Sequence, residues 1–315
     1  MVVQKVAVTE GSFTTPCCRV GRPTRQRRRR AIRETAPVTQ PGRPIVLPSR
    51  IHPATVPASD GRRLVAVHGF TQTARSWDPL LPALRRHGTV VTVDAPGHGD
   101  AAGLDLDHRA AADALAATGG RAIYLGYSMG GRLCLRLAVD HADVLDGLVL
   151  ISTTAGIDDE AARAERRDDD DRLAARIEAI GVDAFLDEWL AKPLFARLPR
   201  ELAGTDDRRR NTAAGLASSL RQCGTGAQEP LWDRLAVLRE RALPVLVVTG
   251  SADGRFVEIG DRLVDAIGPS ARHVTVANAG HVVHLERPDV WSEVVGSWLE
   301  GLDPQPPSAA ISAAE

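Results

Sequence analysis

The sequence predicts a doubly wound α/β domain, in which a mostly parallel, twisted sheet carries helices on both faces and a block of helices is inserted late in the chain. Three observations carry this reading. From Arg63 onward, short apolar, β-branched runs alternate with helix-like stretches, the pattern of a parallel sheet covered on both faces. The alternation stops once, between Ser152 and Pro244, for about 90 residues that read as helices with charged faces, and then resumes. The 315 residues are 43% hydrophobic and 25% charged, enough apolar material for one large core or two smaller ones.

The strands expected are 64–68, 90–94, 121–126, 147–152, 244–250 and 273–277, each an apolar run bounded by turn-forming residues. Helical periodicity lies between them at 79–86, 108–118, 131–141, 256–267 and 290–302. Within the interruption, 158–180, 182–190 and 211–221 read as helices of a lid over the site. The expected organisation is a basic, disordered arm over 1–60, a core made of 61–152 and 243–302, a helical lid over 153–242, and a disordered Pro-rich tail over 303–315. An early antiparallel pairing near 44–56 is left open. In such a sheet the ligand site belongs at the carboxyl ends of the strands.

The net charge of −1 conceals an asymmetry. Residues 1–63 hold 13 Lys and Arg against 3 Asp and Glu, and the remainder 26 against 37. The arm, with Arg27 to Arg30, could contact nucleic acid or an anionic membrane, or be an organelle transit peptide. A disordered arm, or translation begun at an upstream start, is the preferred reading, so no nucleic-acid partner is expected. Arginine outnumbers lysine 37 to 2, which reads as codon bias and weakens any argument from arginine alone. Four cysteines, at 17, 18, 134 and 223, show neither a CxxC pair nor metal-ligand spacing, so no disulfide framework and no zinc site are indicated. A reducing cytoplasm, no metal and no cofactor are expected. Apolar runs are strand-length, far below the roughly 20 residues of a membrane span. Oligomeric state is not encoded in any pattern here.

Gly126-Tyr127-Ser128-Met129-Gly130-Gly131 is a GxSxG placed directly after an expected strand and before an amphipathic helix, the context of a nucleophile on a sharp strand-to-helix turn. A serine hydroxyl needs a histidine to take its proton, and the histidine needs a carboxylate to orient it. Asp253, after the strand 245–249, and His281, after 273–277, supply both in the order Ser, Asp, His. His284 is the nearest competitor for the base and reads as a helix-start residue. Asp105, Asp107 and Asp168 to Asp171 follow no apolar strand and read as solvated faces. The oxyanion donors expected are the amides of Met129, after the nucleophile, and Phe70, in His68-Gly69-Phe70 after the first strand. His68 reads as a brace for that loop, and the segment Asp94 to Gly99 as turn chemistry.

Together these pieces resemble the α/β-hydrolase superfamily over 64–302. Within it the chain is similar to the 2-succinyl-6-hydroxy-2,4-cyclohexadiene-1-carboxylate synthases of menaquinone biosynthesis. The similarity rests on His68-Gly69-Phe70-Thr71 with Trp77, Asp94-Ala95-Pro96-Gly97-His98-Gly99, and Gly126 to Gly131 followed by Arg132. Trp189 through Lys192-Pro193-Leu194-Phe195, Gly215-Leu216-Ala217, Gly224-Thr225-Gly226, Leu231-Trp232 and Asp253-Gly254-Arg255-Phe256 add to it. The resemblance implies a lyase: the triad abstracts a proton from a succinylated cyclohexene bearing an enolpyruvyl ether, and pyruvate is expelled. It also implies a small carboxylate substrate held by arginines. Arg132 matches by motif, Arg172 by its Asp-Arg context, and one of Arg208, Arg209 or Arg210, with Arg208 taken first; Tyr127 and Trp189 match pocket residues. The alternatives are a serine hydrolase acting on a carboxylic ester or carbon–carbon bond, and a non-catalytic small-molecule receptor on the same fold. Dehalogenase and epoxide-hydrolase readings are disfavoured, because those families carry Asp where this chain has Ser128.

Overall fold

The computed structural model describes residues 44–55 and 61–302. Seven strands, β1 (Ser49–His52), β2 (Arg63–Val67), β3 (Thr89–Val93), β4 (Ala122–Tyr127), β5 (Leu145–Ile151), β6 (Val245–Gly250) and β7 (Ala271–Val276), form one sheet in the order β1-β3-β2-β4-β5-β6-β7. All neighbours are parallel except β1, which pairs antiparallel with β3 from Ser49↔Val93 to His52↔Val90. β4 and β6 are buried along their whole length, which is why their sequences show apolar runs rather than alternation.

The helices are α1 (Leu81–Leu84), α2 (His108–Gly119), α3 (Met129–Asp140), α4 (Glu160–Leu190), α5 (Thr205–Arg208), α6 (Ala213–Cys223), α7 (Ala236–Glu240), α8 (Gly254–Ile267), α9 (Val283–Glu286) and α10 (Pro288–Glu300). Four of them, α4 to α7, lie in the excursion between β5 and β6. The helix expected at 79–86 is instead a 3-10 segment, Ala74–Leu80, whose start Thr73 caps through its side chain, followed by the single turn α1. The helices expected at 158–180 and 182–190 meet at Gly181, whose φ of 76° breaks the helical path. A Cβ there would meet no atom within 4 Å, so it is the left-handed backbone and not crowding that calls for glycine.

The arm expected over 1–60 requires correction at its end. Ser49–His52 is a sheet strand, and Leu47 just before it is buried in the core, its amide donating to Thr118 Oγ1 at 2.8 Å. This strand was illegible because a four-residue edge strand with an exposed face carries no alternation long enough to register. The rest of the arm, with Cys17, Cys18 and Arg27 to Arg30, and the tail over 303–315 lie outside the described residues.

Apolar side chains fill both faces of the sheet. Leu133, Leu137, Leu148 and Leu263 belong to the cluster on one side, and Trp77, Val149, Ile151 and Trp291 to that on the other. The inserted helices have a small core of their own, Ala174, Ile177 and Phe185 of α4 against Leu216, Ala217 and Leu220 of α6. Burying each large side chain there contributes roughly 1.5–3 kcal/mol, which fixes the rotational phase of α4. Among the described residues no helix is long and apolar enough to cross a membrane, and no cluster of His, Cys, Asp or Glu is arranged to hold a metal ion.

Candidate active site

The turn from β4 into α3 places Ser128 at φ 49°, ψ −108°, a conformation that costs a non-glycine residue about 1–3 kcal/mol. The surroundings over-determine it: the Ser128 amide donates to the Ile151 carbonyl at 2.8 Å, and Thr153 Oγ1 donates to the Ser128 carbonyl at 2.8 Å. The flanking glycines serve close approach. A Cβ at Gly126 would lie 2.5 Å from Gly131 Cα, and one at Gly130 2.3 Å from the Val67 carbonyl oxygen.

Ser128 Oγ lies 3.2 Å from His281 Nε2, and His281 Nδ1 lies 2.7 Å from Asp253 Oδ2. The Asp253 contact makes Nδ1 the protonated nitrogen and leaves the Nε2 lone pair facing the hydroxyl. Asp253 stands between β6 and α8 and His281 just beyond β7, so the parallel sheet delivers all three residues to one edge. Their loops are joined directly, with Ala252 N–H donating to the Ala279 carbonyl at 2.8 Å and Asn278 N–H to Ser251 Oγ at 3.0 Å. His281 is only 3% exposed, with the Phe256 ring 4.6 Å and the Tyr127 ring 5.5 Å from its own.

The amide of Met129 opens α3 and has no intrahelical acceptor, and that of Phe70 donates to no group among the described residues. The loop bearing Phe70 is held by two neutral histidines. His68 donates from Nδ1 to the Gly69 carbonyl and accepts the Ala95 amide at Nε2, while His98 donates to the Pro96 carbonyl and accepts the Thr71 amide. Burial pulls His68 down to about 4 and His98 to about 3, so both stay neutral and keep these tautomers. Asp94 accepts the amides of Ala74 and Asp100, the turn role expected of that segment.

His284 is buried in α9 against the rings of Tyr127 at 4.4 Å, Trp77 and Trp291, and burial pulls it down to about 3. It is a core residue rather than a second base. Trp189 packs on Phe70 at 5.3 Å between ring centroids and stacks on Phe185.

The arginines divide sharply. Arg208 is 2% exposed, donating Nε to the Ala203 carbonyl at 2.7 Å and Nη1 to Thr71 Oγ1 and the Phe70 carbonyl. Arg132 is 8% exposed, its Nη1 donating to the Cys223 carbonyl at 2.7 Å and to Gln228 Oε1 at 3.2 Å. Burial lowers both to about 10, so both remain charged at neutral pH. Among the described residues neither forms an ion pair with a carboxylate. Arg209 and Arg210 turn outward, to Asp183 and Asp206 and to Asp100.

Arg172 departs from expectation, being 67% exposed and paired with Asp169 on its own helix. The inward stripe of α4 runs through Asp170, Ala174 and Ile177, and at 100° per residue Arg172 points away from it. The residues on that stripe which the motif search missed are Arg166 and Asp170. Arg166 Nε donates to Asp170 at 2.9 Å, and Asp170 also accepts the Gly226 amide at 3.1 Å. Helix phase counted back from Ala174 and Ile177 would have found both.

The chain matches the Alpha/beta hydrolase family over residues 64–294. It is 34% identical over 257 residues to a Bacillus subtilis (strain 168) protein assigned as 2-succinyl-6-hydroxy-2,4-cyclohexadiene-1-carboxylate synthase, covering 76% of this chain and 90% of that protein. The synthase of that name from Enterobacter sp. (strain 638) is 33% identical, with 71% of this chain and 86% of that protein covered. Among solved structures, MenH from S. aureus is similar with a TM-score of 0.72 at 28% identity, over 80% of this chain and 97% of that one. A thermophilic esterase from Thermogutta terrifontis shares the fold, with a TM-score of 0.65 at 22% identity, over 81% and 93%. With the strained serine turn, the joined acid and histidine loops and these relatives in agreement, the chain belongs to the α/β-hydrolase family, on the branch that contains the 2-succinyl-6-hydroxy-2,4-cyclohexadiene-1-carboxylate synthases.

Proposed function

We propose that this protein is a pyruvate-eliminating synthase acting on a succinylated cyclohexene that carries an enolpyruvyl ether. Ser128, His281 and Asp253 are the proton-transfer machinery and Phe70 and Met129 the oxyanion donors. The observation that carries the reading is the pair of buried arginines, Arg132 and Arg208, with no carboxylate beside them. Burying a charge without a counter-charge costs several kcal/mol, and a substrate with several carboxylates supplies what the fold omits.

In this reading His281 Nε2 takes the Ser128 proton as Ser128 Oγ removes the acidic proton next to the succinyl ketone. Negative charge then develops on the ketone oxygen, where the amides of Phe70 and Met129 receive it. The electron pair re-enters the ring as a new double bond, and the carbon–oxygen bond to the enolpyruvyl group breaks. The leaving group takes back the proton and departs as pyruvate, and no water is consumed. The helices between β5 and β6 serve as a lid, with Tyr127 and Trp189 as pocket walls. The free, buried thiols of Cys134 and Cys223 suit a reducing cytoplasm.

The test is pyruvate release from the enolpyruvyl substrate, followed through lactate dehydrogenase, beside hydrolysis of p-nitrophenyl esters. Pyruvate release with poor ester turnover is the expected result. Vigorous ester hydrolysis without pyruvate would replace the synthase with a serine hydrolase, to which the 3.2 Å Ser128–His281 contact is equally suited. Silence in both assays with tight binding of a small carboxylate would indicate a receptor.

A further inference from the structure

Beyond the triad, a third carboxylate stands against the loop that carries His281. Glu286, the last residue of α9, accepts the Gly280 amide on Oε2 at 2.5 Å and the Val282 amide on Oε1 at 3.0 Å. These are the two residues on either side of His281, so one carboxylate holds the backbone both before and after the imidazole. Glu286 forms no ion pair among the described residues; both its oxygens are engaged by these amides. Glycine at 280 leaves room for the contact, since a Cβ there would lie 3.1 Å from Glu286 Oε2.

We propose that Glu286 is a positioning residue for His281, setting the height and rotation of the imidazole through its two flanking amides. Charge-assisted hydrogen bonds to backbone amides are about twice as strong as neutral ones, and two made by one carboxylate fix an orientation as well as a distance. Ser128 is held by its own turn and Asp253 by the end of β6, so the histidine loop is the member of the triad with the longest free path, from Ala277 to Val282. The Asp253 contact orients the ring about its own bonds, and Glu286 orients the backbone from which the ring hangs.

The inference rests on His281 as the base but not on the substrate, and the experiment separates the two. Glu286→Gln keeps the shape but turns an amide NH₂ toward one of the two N–H donors. Its labelling of Ser128 by a fluorophosphonate probe should slow by about 10- to 100-fold, the scale of a misplacement near 1 Å. Pyruvate release should show the same loss in kcat with KM within about twofold, since Glu286 touches no substrate. Gly280→Ala, which crowds the carboxylate without removing it, should reproduce a smaller loss in the same two readings. Unchanged labelling in a folded Glu286→Gln protein would overturn the assignment, as would losses in labelling that follow the folded fraction across both variants. Labelling that depends on Glu286 in a protein releasing no pyruvate would uphold Glu286 and reject the synthase.

Discussion

At the carboxyl edge of the sheet Asp253 faces His281 at 2.7 Å, whereas toward the inserted helices Arg132 and Arg208 lie buried against carbonyl, hydroxyl and amide oxygens with no carboxylate in reach. The first region balances its charge internally. The second carries about two uncompensated positive charges in a desolvated setting, a state that destabilises the empty protein and favours an anionic ligand. The difference assigns a task to each side: bond-breaking to a self-sufficient triad on the sheet, and selection of a carboxylate substrate to arginines at the insertion.

The largest effect should come from breaking the sheet side. Ser128→Ala should lower kcat by about 10³-fold or more and leave the melting temperature close to that of the parent, because members of a cooperating triad fail together. His281→Ala should do the same. His284→Ala should instead cost stability, roughly 2 kcal/mol or more, by opening a cavity beside Tyr127 and Trp77. Turnover per folded molecule that survives in His281→Ala and vanishes in His284→Ala would exchange their roles.

Breaking the insertion side tests the charge argument. Arg132→Met and Arg208→Met should each lower kcat/KM for the carboxylate substrate by about 10- to 10³-fold, or 1.5–4 kcal/mol. The melting temperature should change little, because relief of a buried charge offsets the lost hydrogen bonds. Collapse of the fold with normal kcat/KM per folded molecule would make these arginines structural.

Acid sharpens the contrast, since the titrating groups lie on the sheet side. His68, His98 and His284 are pulled down to about 4, 3 and 3 in the folded protein, while an unfolded chain protonates histidine near 6.5. The unfolded state therefore binds more protons in this interval. Their contribution to stability is fully present above pH 6.5 and is lost as the pH falls toward 4. Melting temperatures at pH 7.5 and 5 should differ by several degrees, and a curve flat over that range would contradict the neutral, buried assignment.

A smaller loss should follow from a chain beginning at Ser59, which lacks β1. Composition alone predicts an intact protein, whereas the pairing of Ser49–His52 with β3 and the burial of Leu47 predict a melting temperature a few degrees lower. The smallest effect belongs to Arg172→Ala, expected to stay within about twofold in kcat/KM and 0.5 kcal/mol in stability, as for an exposed helical ion pair. A large loss there would return Arg172 to the site and weaken the division between buried and surface arginines.

The sequence by itself determined the triad and the frame that holds it. A GxSxG between an apolar run and an amphipathic run specifies a strand-to-helix turn locally, and a parallel sheet brings every strand's carboxyl end to one edge, so Ser128, Asp253 and His281 could be placed together from order along the chain. Only the tertiary structure decided which arginine faces inward. Arg208, Arg209 and Arg210 are chemically alike and adjacent, and just one of them turns from solvent when α5 packs against the loop of Phe70 and Thr71. Arg172 was misplaced for the same reason, because the phase of α4 is set by its contact with α6 some 40 residues away and not by its charged pattern. The strand β1 and the grip of Glu286 on the His281 loop likewise depend on what a segment meets in space. A hydrogen bond to a backbone amide leaves no mark in residue type, so neither could be read before the chain had folded.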